Sequence, residues 1–464
     1  MRILPEPVRR ALTRLWDAGF EAYVVGGAVR DALLQCAPRD HDIATDASPE
    51  QIRRLFGGCR VIDTGLAHGT VTVRIEHMPL EITTYRAEYP KDAGIKQEAA
   101  AVRGLHPEEA PTQKGAALQS GVSRGLWADL ACRDFTFNAL AWHPDAGIID
   151  PFGGAQDLAN GIVRCPGTPA SRFREDAVRI LRALRFAAVY GLRIEPQTAQ
   201  ALRENRLLLR ASAAERVREE LTQILCGAFA AKVLEEYAET VAVVLPEIAP
   251  MFGFEQKNPH HDKDVWRHTL AVVEAAPAEP VLRWAALLHD AGKPACFSLD
   301  ADGVGHFYGH AGQSAQLADA VLARLRLDTC RREQIVRLVR RHDTPVLPAE
   351  RQLKRLLNQL GEADTRRLIA LQRADTCGQA PVCLERLPLL EKAGQLLDAL
   401  LREKACFSLR DLAVNGDDML ALGLRGKAVG AALDVCLCAV LDGAVPNERA
   451  ALLQHVQKNA EDSV

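Results

Sequence analysis

Apolar residues along the first part of the chain recur with two different periods. Between residues 8 and 19, Leu12, Leu15 and Trp16 fall on one side of an amphipathic helix, which Gly19 stops. The run from Tyr23 to Thr45, YVVGGAVRDALLQCAPRDHDIAT, reads as a short apolar strand ending in two glycines, a helix opening at Ala28, a polar turn and a second strand that begins with carboxylates. Ser48 as N-cap and Pro49 at the first helical position start another helix. In TGLAHGTVTVRI and MPLEITTYR, Thr70, Thr72 and Arg74 alternate with Val71, Val73 and Ile75, the period of a hairpin with one buried face. From 88 to 124 no period is sustained and large apolar residues are few, so a mobile loop or partly disordered insertion is expected. Order returns at WADLACRDFTFNALAW. Asp150-Pro151 and Gly153-Gly154 then break the chain, and beyond them the pattern is helical. The pattern predicts an α+β head with a small mixed sheet, followed by an all-α remainder.

The chemistry-bearing residues of the head sit at the ends of its strands. Residues two apart on a strand share a face, so Asp40 and Asp42 are expected to project together and hold a divalent cation. Gly26 and Gly27 let the backbone approach a ligand where the next helix begins, a place that favours phosphate, and Arg30 lies one turn further in. Glu81 in LEITTYR is a candidate third carboxylate for two cations that clamp attacking and leaving oxygens.

Composition adds limits. The 464 residues suffice for three or more domains, with 25% charged and 48% apolar residues. A net charge of −3 means that any surface for nucleic acid must be local. Such a surface is legible from Arg172 to Arg218, where eleven arginines stand against five carboxylates. The twelve cysteines include no CxxC pair, which implies reduced thiols in a cytoplasmic protein. No 18-residue apolar run is present, so neither a membrane span nor a signal peptide is expected.

GGAVRD followed by RDHDIAT resembles the opening motif of the class II tRNA nucleotidyltransferases, the CCA-adding enzymes, and of the related bacterial poly(A) polymerases, within the polymerase-beta-like superfamily. His68 to Val73 is similar to a string that separates CCA addition from poly(A) synthesis in that family, while Cys132 stands where the family usually has a first arginine before Arg133 and Asp134. The resemblance assigns Arg133 to the nucleotide, with Asp134 and Asn138 in a region that contacts the ribose.

In SRFREDAVRILRALRF, Asp176, Arg179, Arg182 and Arg185 are spaced three apart, so they are expected to wind round one side of a helix while Val178, Ile180, Leu181 and Leu184 serve the core. A carboxylate that accepts from an exocyclic amine beside a guanidinium that donates to a ring nitrogen pairs with cytosine and adenine and refuses guanine and uracil. The resemblance gives the same role to the segment Glu175 to Arg179, with Asp176 and Arg179 choosing the base and Arg182 and Arg185 serving the triphosphate or the helix itself.

Histidines concentrate between 260 and 342. His268, His289-Asp290, His310, His342-Asp343 and Asp375 fall on successive expected helices, an order that resembles the HD phosphohydrolase domain, and neutral imidazoles with carboxylates suit a transition metal. The resemblance implies four regions: a nucleotidyltransferase head at 1–160, a helical neck at 161–256 with the nucleotide-selecting motif and an RNA-binding surface, an HD domain at 257–380, and a helical tRNA-binding segment at 381–464 punctuated by Gly416, Gly423, Gly426 and Gly430. It further implies sequential addition of C, C and A to the 3′ end of tRNA from CTP and ATP, with Mg²⁺ on Asp40 and Asp42, and no DNA or membrane partner. A poly(A) polymerase, a partial CC- or A-adding enzyme, and a metal-dependent phosphohydrolase acting through the HD domain are the alternatives.

Overall fold

The computed structural model describes residues 4–38, 40–65, 69–85 and 123–461. His68 and the expected insertion up to residue 122 lie outside the described residues. The chain divides into two compact units, Met1–Ala213 and Ala214–Val464.

The first unit is built on a seven-stranded mixed sheet. Its strands are β1 (Ala22–Val25), β2 (Asp42–Thr45), β3 (Arg60–Gly65), β4 (Thr70–Ile75), β5 (Met78–Thr84), β6 (Ala141–His143) and β7 (Gly147–Ile149), in the order β3-β4-β5-β2-β1-β6-β7. Within this sheet only β2 and β5 pair in parallel. The expected hairpin is present as β4/β5, with Ile75 opposite Met78 across a tight turn. The strand β3, not singled out by the sequence pattern, pairs with its outer edge.

Strand alternation sorts side chains between two cores. Val24 and Ile43 point to the layer where helices Glu6–Asp17 and Pro49–Leu55 bury Val8, Leu12, Leu15, Ile52 and Phe56. Val25 and Ala44 point to the opposite layer, against Leu126 and Leu130 of helix Arg124–Ala131. Each large side chain withdrawn here contributes about 1.5–3 kcal/mol. Asp42, two before Ala44, takes the second face. The expected caps form: Gly19 closes the first helix at φ +85°, and Ser48 accepts from Gln51 N while Gln51 Oε1 accepts from Ser48 N.

One predicted element is corrected. The segment around Asp176 is two helices, Pro169–Glu175 and Val178–Tyr190, and Asp176 between them is extended at φ −154°, ψ 100°. Its carboxylate accepts from Val178 N at 3.2 Å, a local bond that competes with continuing the helix. Asp176 is therefore not on a helix face with Arg179, Arg182 and Arg185. Arg179 is buried, while Arg182 and Arg185 are partly exposed.

The second unit is helical. Val265–Ala275, Pro280–Leu288, His310–Arg324, Thr329–Arg341 and Glu350–Gly378 enclose a common core, and the last of them breaks at Gly361 (φ 75°, ψ 171°). Asp264, Glu279 and Asp328 cap three of these helices by accepting backbone N–H bonds. The final helices, Gly416–Ala421, Lys427–Leu441 and Arg449–Glu461, close round Met419, Cys436 and Leu452. All twelve cysteines are unpaired, and no described helix is long and apolar enough to cross a membrane.

Candidate functional site

The head site forms where β2 and β5 run side by side. Asp42 opens β2 and is the register partner of Glu81 on β5, so the two carboxylates leave the same face of the sheet. Asp40 lies in the loop ahead of β2 and is exposed; loop geometry rather than strand alternation places it. Its charge still reaches both neighbours. Burial raises the Asp42 pKa, Arg133 partly offsets this, and Asp40 adds to it. Glu81 is raised by burial, then by Asp42 and Asp40. Three oxygen-donor groups that repel one another with little protein cation among them suit a hard divalent cation.

Beside them the turn at Gly26 is specific to glycine. Gly26 has φ +70°, and a Cβ there would stand 2.6 Å from Arg133 Nη1. Arg133 Nη2 donates to Asp129 at 3.2 Å, while its buried Nε has no partner among the described residues. Gly27 begins a helix of seven residues, Gly27–Leu33. Arg30 on that helix donates to Asp31 and, at 2.8 Å, to Asn138 Oδ1, and its guanidinium lies 5.3 Å from the Phe186 ring centre and 5.9 Å from that of Tyr190.

Asp134 faces inward. Its carboxylate accepts from Phe135 N, from Asn138 Nδ2 at 3.0 Å and from Arg182 Nε at 2.8 Å. Burial would raise its pKa, but Arg182, Asn138 and Arg179 together hold it well below the usual carboxylate range. A relay thus runs from Arg182 through Asp134 and Asn138 to Arg30. Arg179 donates to Glu175, to the Arg172 carbonyl and, at 2.9 Å, to the carbonyl of Cys132. The residue that departs from the family motif therefore serves through its backbone. Arg185 stacks on Phe186, with 4.6 Å to the ring centre. Asp176 is half-buried at the helix break, where Arg179 N donates to its carbonyl.

In the second unit all six predicted ligands converge. His268, His289, Asp290, His310, His342 and Asp375 are buried and come from five helices or their ends. Asp290 is central: Oδ2 lies 3.1 Å from His289 Nε2 and 3.4 Å from His268 Nε2, and Oδ1 lies 3.5 Å from both His310 Nε2 and His342 Nε2. Asp375 Oδ1 is 3.0 Å from His268 Nε2. Asp343, next to His342, is exposed and does not join.

The tautomers fit metal ligation. Backbone carbonyls can only accept, so His289, His310 and His342 donate from Nδ1 to Ala286, Phe307 and Val339 and keep lone pairs on Nε2. Yet His310 and His342 bring those Nε2 atoms within 3.2 Å of each other. Lone pairs so placed repel unless a cation or proton lies between them. Two groups of three have ligand atoms within 4.8 Å: His268, His289 and Asp375, and His289, Asp290 and His342. Burial lowers the His268 pKa, but bonds to Asp290 and Asp375 prevail and push it up to about 9.

The sequence pattern missed some neighbours. Gln256 Oε1 accepts from Lys293 Nζ at 2.9 Å, and that ammonium is 2.7 Å from Asp290. His261 packs edge-on against His268, with ring centres 5.1 Å apart. Lys293 sits three residues after Asp290, a position that flanks the His289-Asp290 doublet; Gln256 and His261 carry no sequence signal.

The fold and these two sites define a polymerase-type nucleotidyltransferase head joined to a C-terminal HD domain. Residues 22–164 match the family model "Poly A polymerase head domain", 191–252 match "Probable RNA and SrmB- binding site of polymerase A", and 262–378 match "HD domain". Curated relatives of the chain include CCA-adding enzymes. That of Limosilactobacillus fermentum is 40% identical over 222 residues, 48% of this chain and 50% of the relative; that of Leuconostoc mesenteroides is 42% identical over 225 residues, with the same coverage. The chain spans about half the length of these relatives. Among solved structures, the Bacillus stearothermophilus CCA-adding enzyme in complex with CTP aligns over 99% of both chains, with 28% identity and a TM-score of 0.70. The Thermotoga maritima CCA-adding enzyme complexed with tRNA shares the fold over 99% of this chain and 97% of its own, with 20% identity and a TM-score of 0.59.

Proposed function

We propose that this protein adds C, C and A in turn to the 3′ end of tRNA, from CTP and ATP and without a nucleic-acid template. The observation that carries this reading is the in-register Asp42–Glu81 pair with Asp40 beside it and Arg133 between the carboxylates and the Gly26 turn. The likeness to a CTP-bound CCA-adding enzyme along the whole chain supports the substrate class.

Asp40 and Asp42, with Glu81, would hold Mg²⁺. Mg²⁺ held there would supply Lewis-acid stabilisation for the ionised tRNA 3′-hydroxyl and for the charge of departing pyrophosphate. Gly26 and Gly27 leave room for the triphosphate against the backbone. Arg30 and Arg133 bring positive charge to it. Arg182, Asp134 and Asn138 orient Arg30 through buried and partly buried bonds. Asp176 accepts from the amine of cytosine or adenine while Arg179 donates to the ring nitrogen. The neck at 161–256 and the helices of 381–464 contact the acceptor arm by phosphate and shape, and the protein works in the cytoplasm.

Extension of a tRNA transcript ending at its discriminator base tests the reading, with CTP alone, ATP alone and both. Two additions with CTP and a third only when ATP is added are expected. A long run of A would make the protein a poly(A) polymerase, and a halt at CC with both nucleotides a partial enzyme.

A second reading rests on the convergence of four imidazoles and the Asp375 carboxylate around Asp290. We propose that this HD centre holds one or two transition-metal ions and hydrolyses phosphoesters of nucleotides or RNA ends. Release of phosphate or opening of a 2′,3′-cyclic phosphate by Ni²⁺- or Mn²⁺-loaded protein tests it, and no turnover with any metal would refute it.

A further inference from the structure

Five consecutive residues, His306 to His310, connect the HD centre to an exposed aromatic surface. His310 is a member of the centre, 3.5 Å from Asp290. The Phe307 carbonyl accepts from His310 Nδ1, and the Phe307 ring centre lies 5.2 Å from the Lys293 ammonium. Tyr308 is open to solvent: at 78% exposure it is the most exposed large apolar side chain among the described residues. Gly309, at φ +77°, then turns the chain into the helix that begins with His310.

Tyr308 does not stand alone. His306 at the end of a short strand and Tyr308 in the turn that follows stack with ring centres 5.3 Å apart and planes 8° from parallel. His306 is itself fixed: Nε2 lies 2.7 Å from Asp300 Oδ2, and Asp300 Oδ1 accepts from the backbone of Asp302 and Val304. The hairpin carrying His306 is anchored beneath by Gly305, whose N–H donates to the Lys257 carbonyl and whose carbonyl accepts from Asn258. No side chain fits at Gly305, since a Cβ would meet the Gln256 carbonyl at 2.1 Å. Gln256 in turn holds Lys293. The hairpin, the stack and the centre are thus built on one set of bonds.

We propose that Tyr308, backed by His306, is a stacking platform for a nucleobase of the nucleotide or RNA-end phosphoester whose phosphate occupies the HD centre; the identity of that phosphoester rests on the HD reading above. A flat ring pre-ordered by a second ring offers a π-face to any base without sequence preference. Its place two residues from His310 assigns it to the substrate of this centre.

Two readouts on the full-length, Mn²⁺- or Ni²⁺-loaded protein test this. The first is photocrosslinking of a short oligonucleotide ending in 4-thiouridine 3′-phosphate, with the linked peptide identified by mass spectrometry. Label on the 298–310 peptide, lost in Tyr308→Ala and kept in Tyr308→Trp, is expected; label confined to other peptides overturns the proposal. The second compares hydrolysis of 2′,3′-cyclic AMP with that of a base-free cyclic glycerol phosphate. Tyr308→Ala should raise KM for the nucleotide about 5- to 150-fold, the span of base–aromatic stacking, and leave kcat and the base-free substrate unchanged. Equal KM changes for both substrates would refute the platform and spare the HD reading. Crosslinking at Tyr308 without hydrolysis of either substrate would do the reverse.

Discussion

Asp42 and Glu81 stand opposite each other on the parallel pair β2/β5, and the charge of Asp42 raises the cost of ionising Glu81. Neutralising one should therefore stabilise the cation-free protein while it disables the reaction, the trade expected where an active site stores unfavourable charge. Asp42→Asn is predicted to lower nucleotide addition by about 10³-fold, several kcal/mol of transition-state stabilisation, and Glu81→Gln by less. Single-turnover extension, paired with thermal unfolding in chelator, checks both halves; extension at the wild-type rate in Asp42→Asn would refute the assignment.

Gly26→Ala combines an unfavourable φ with a contact of 2.6 Å to Arg133 Nη1. A cost of about 1–3 kcal/mol in stability is expected, and because the guanidinium must move, KM for CTP and ATP should rise with it. Gly153→Ala is the control: its φ is +71° but nothing lies within 4 Å. Strain alone predicts a similar stability loss there without the KM effect.

Asp134→Asn removes the ionic partner of Arg182 and should destabilise the head by about 2 kcal/mol, since Arg182 remains partly exposed. The Asp134 pKa is depressed in the folded state, so its stabilisation is complete above the unfolded value of about 3.9 and is lost as pH falls below it. The gap in unfolding free energy between wild type and variant should thus be flat from pH 5 to 8 and narrow below about pH 4. A gap that persists unchanged at pH 2.5 would show that the carboxylate charge is not its source.

Asp176 accepts from Val178 N at the helix break, whereas Arg179 is built into the fold through Glu175 and two carbonyls. Asp176→Ala should leave stability within about 1 kcal/mol yet relax discrimination against UTP and GTP by about 10- to 100-fold, the loss of one hydrogen bond to charge. Competition of labelled UTP against CTP in extension measures this. Unchanged selectivity would move base choice elsewhere.

Transition-metal binding should relieve the His310–His342 and His268–His289 contacts of 3.2 and 3.3 Å. A stabilisation of about 2.7 kcal/mol is expected with metal at a hundred times its Kd, seen as a rise in Tm with added Mn²⁺, Ni²⁺ or Co²⁺. His342→Ala should lose most of that rise and keep tRNA extension in Mg²⁺. An equal rise in both proteins would exclude the centre as the binding site.

Sequence alone determined the local devices: the Gly26 turn, the Ser48 cap, the β4/β5 hairpin and the helix-borne order of the HD histidines. These follow from periodicity and from residues whose backbone or side-chain chemistry acts within a few positions. It also singled out the six residues that converge around Asp290, because their types and order are unusual together. Tertiary structure alone decided how distant pieces meet. Sheet register put Glu81 beside Asp42, and a loop, not strand alternation, brought Asp40 to them. Burial and the pull of Arg182 turned Asp134 inward, and Asp176's bond to Val178 N split the expected helix. Gln256 and His261 entered the second site only through packing. Each of these outcomes is a competition between a local preference and non-local burial or charge, and only the folded chain supplies the second term.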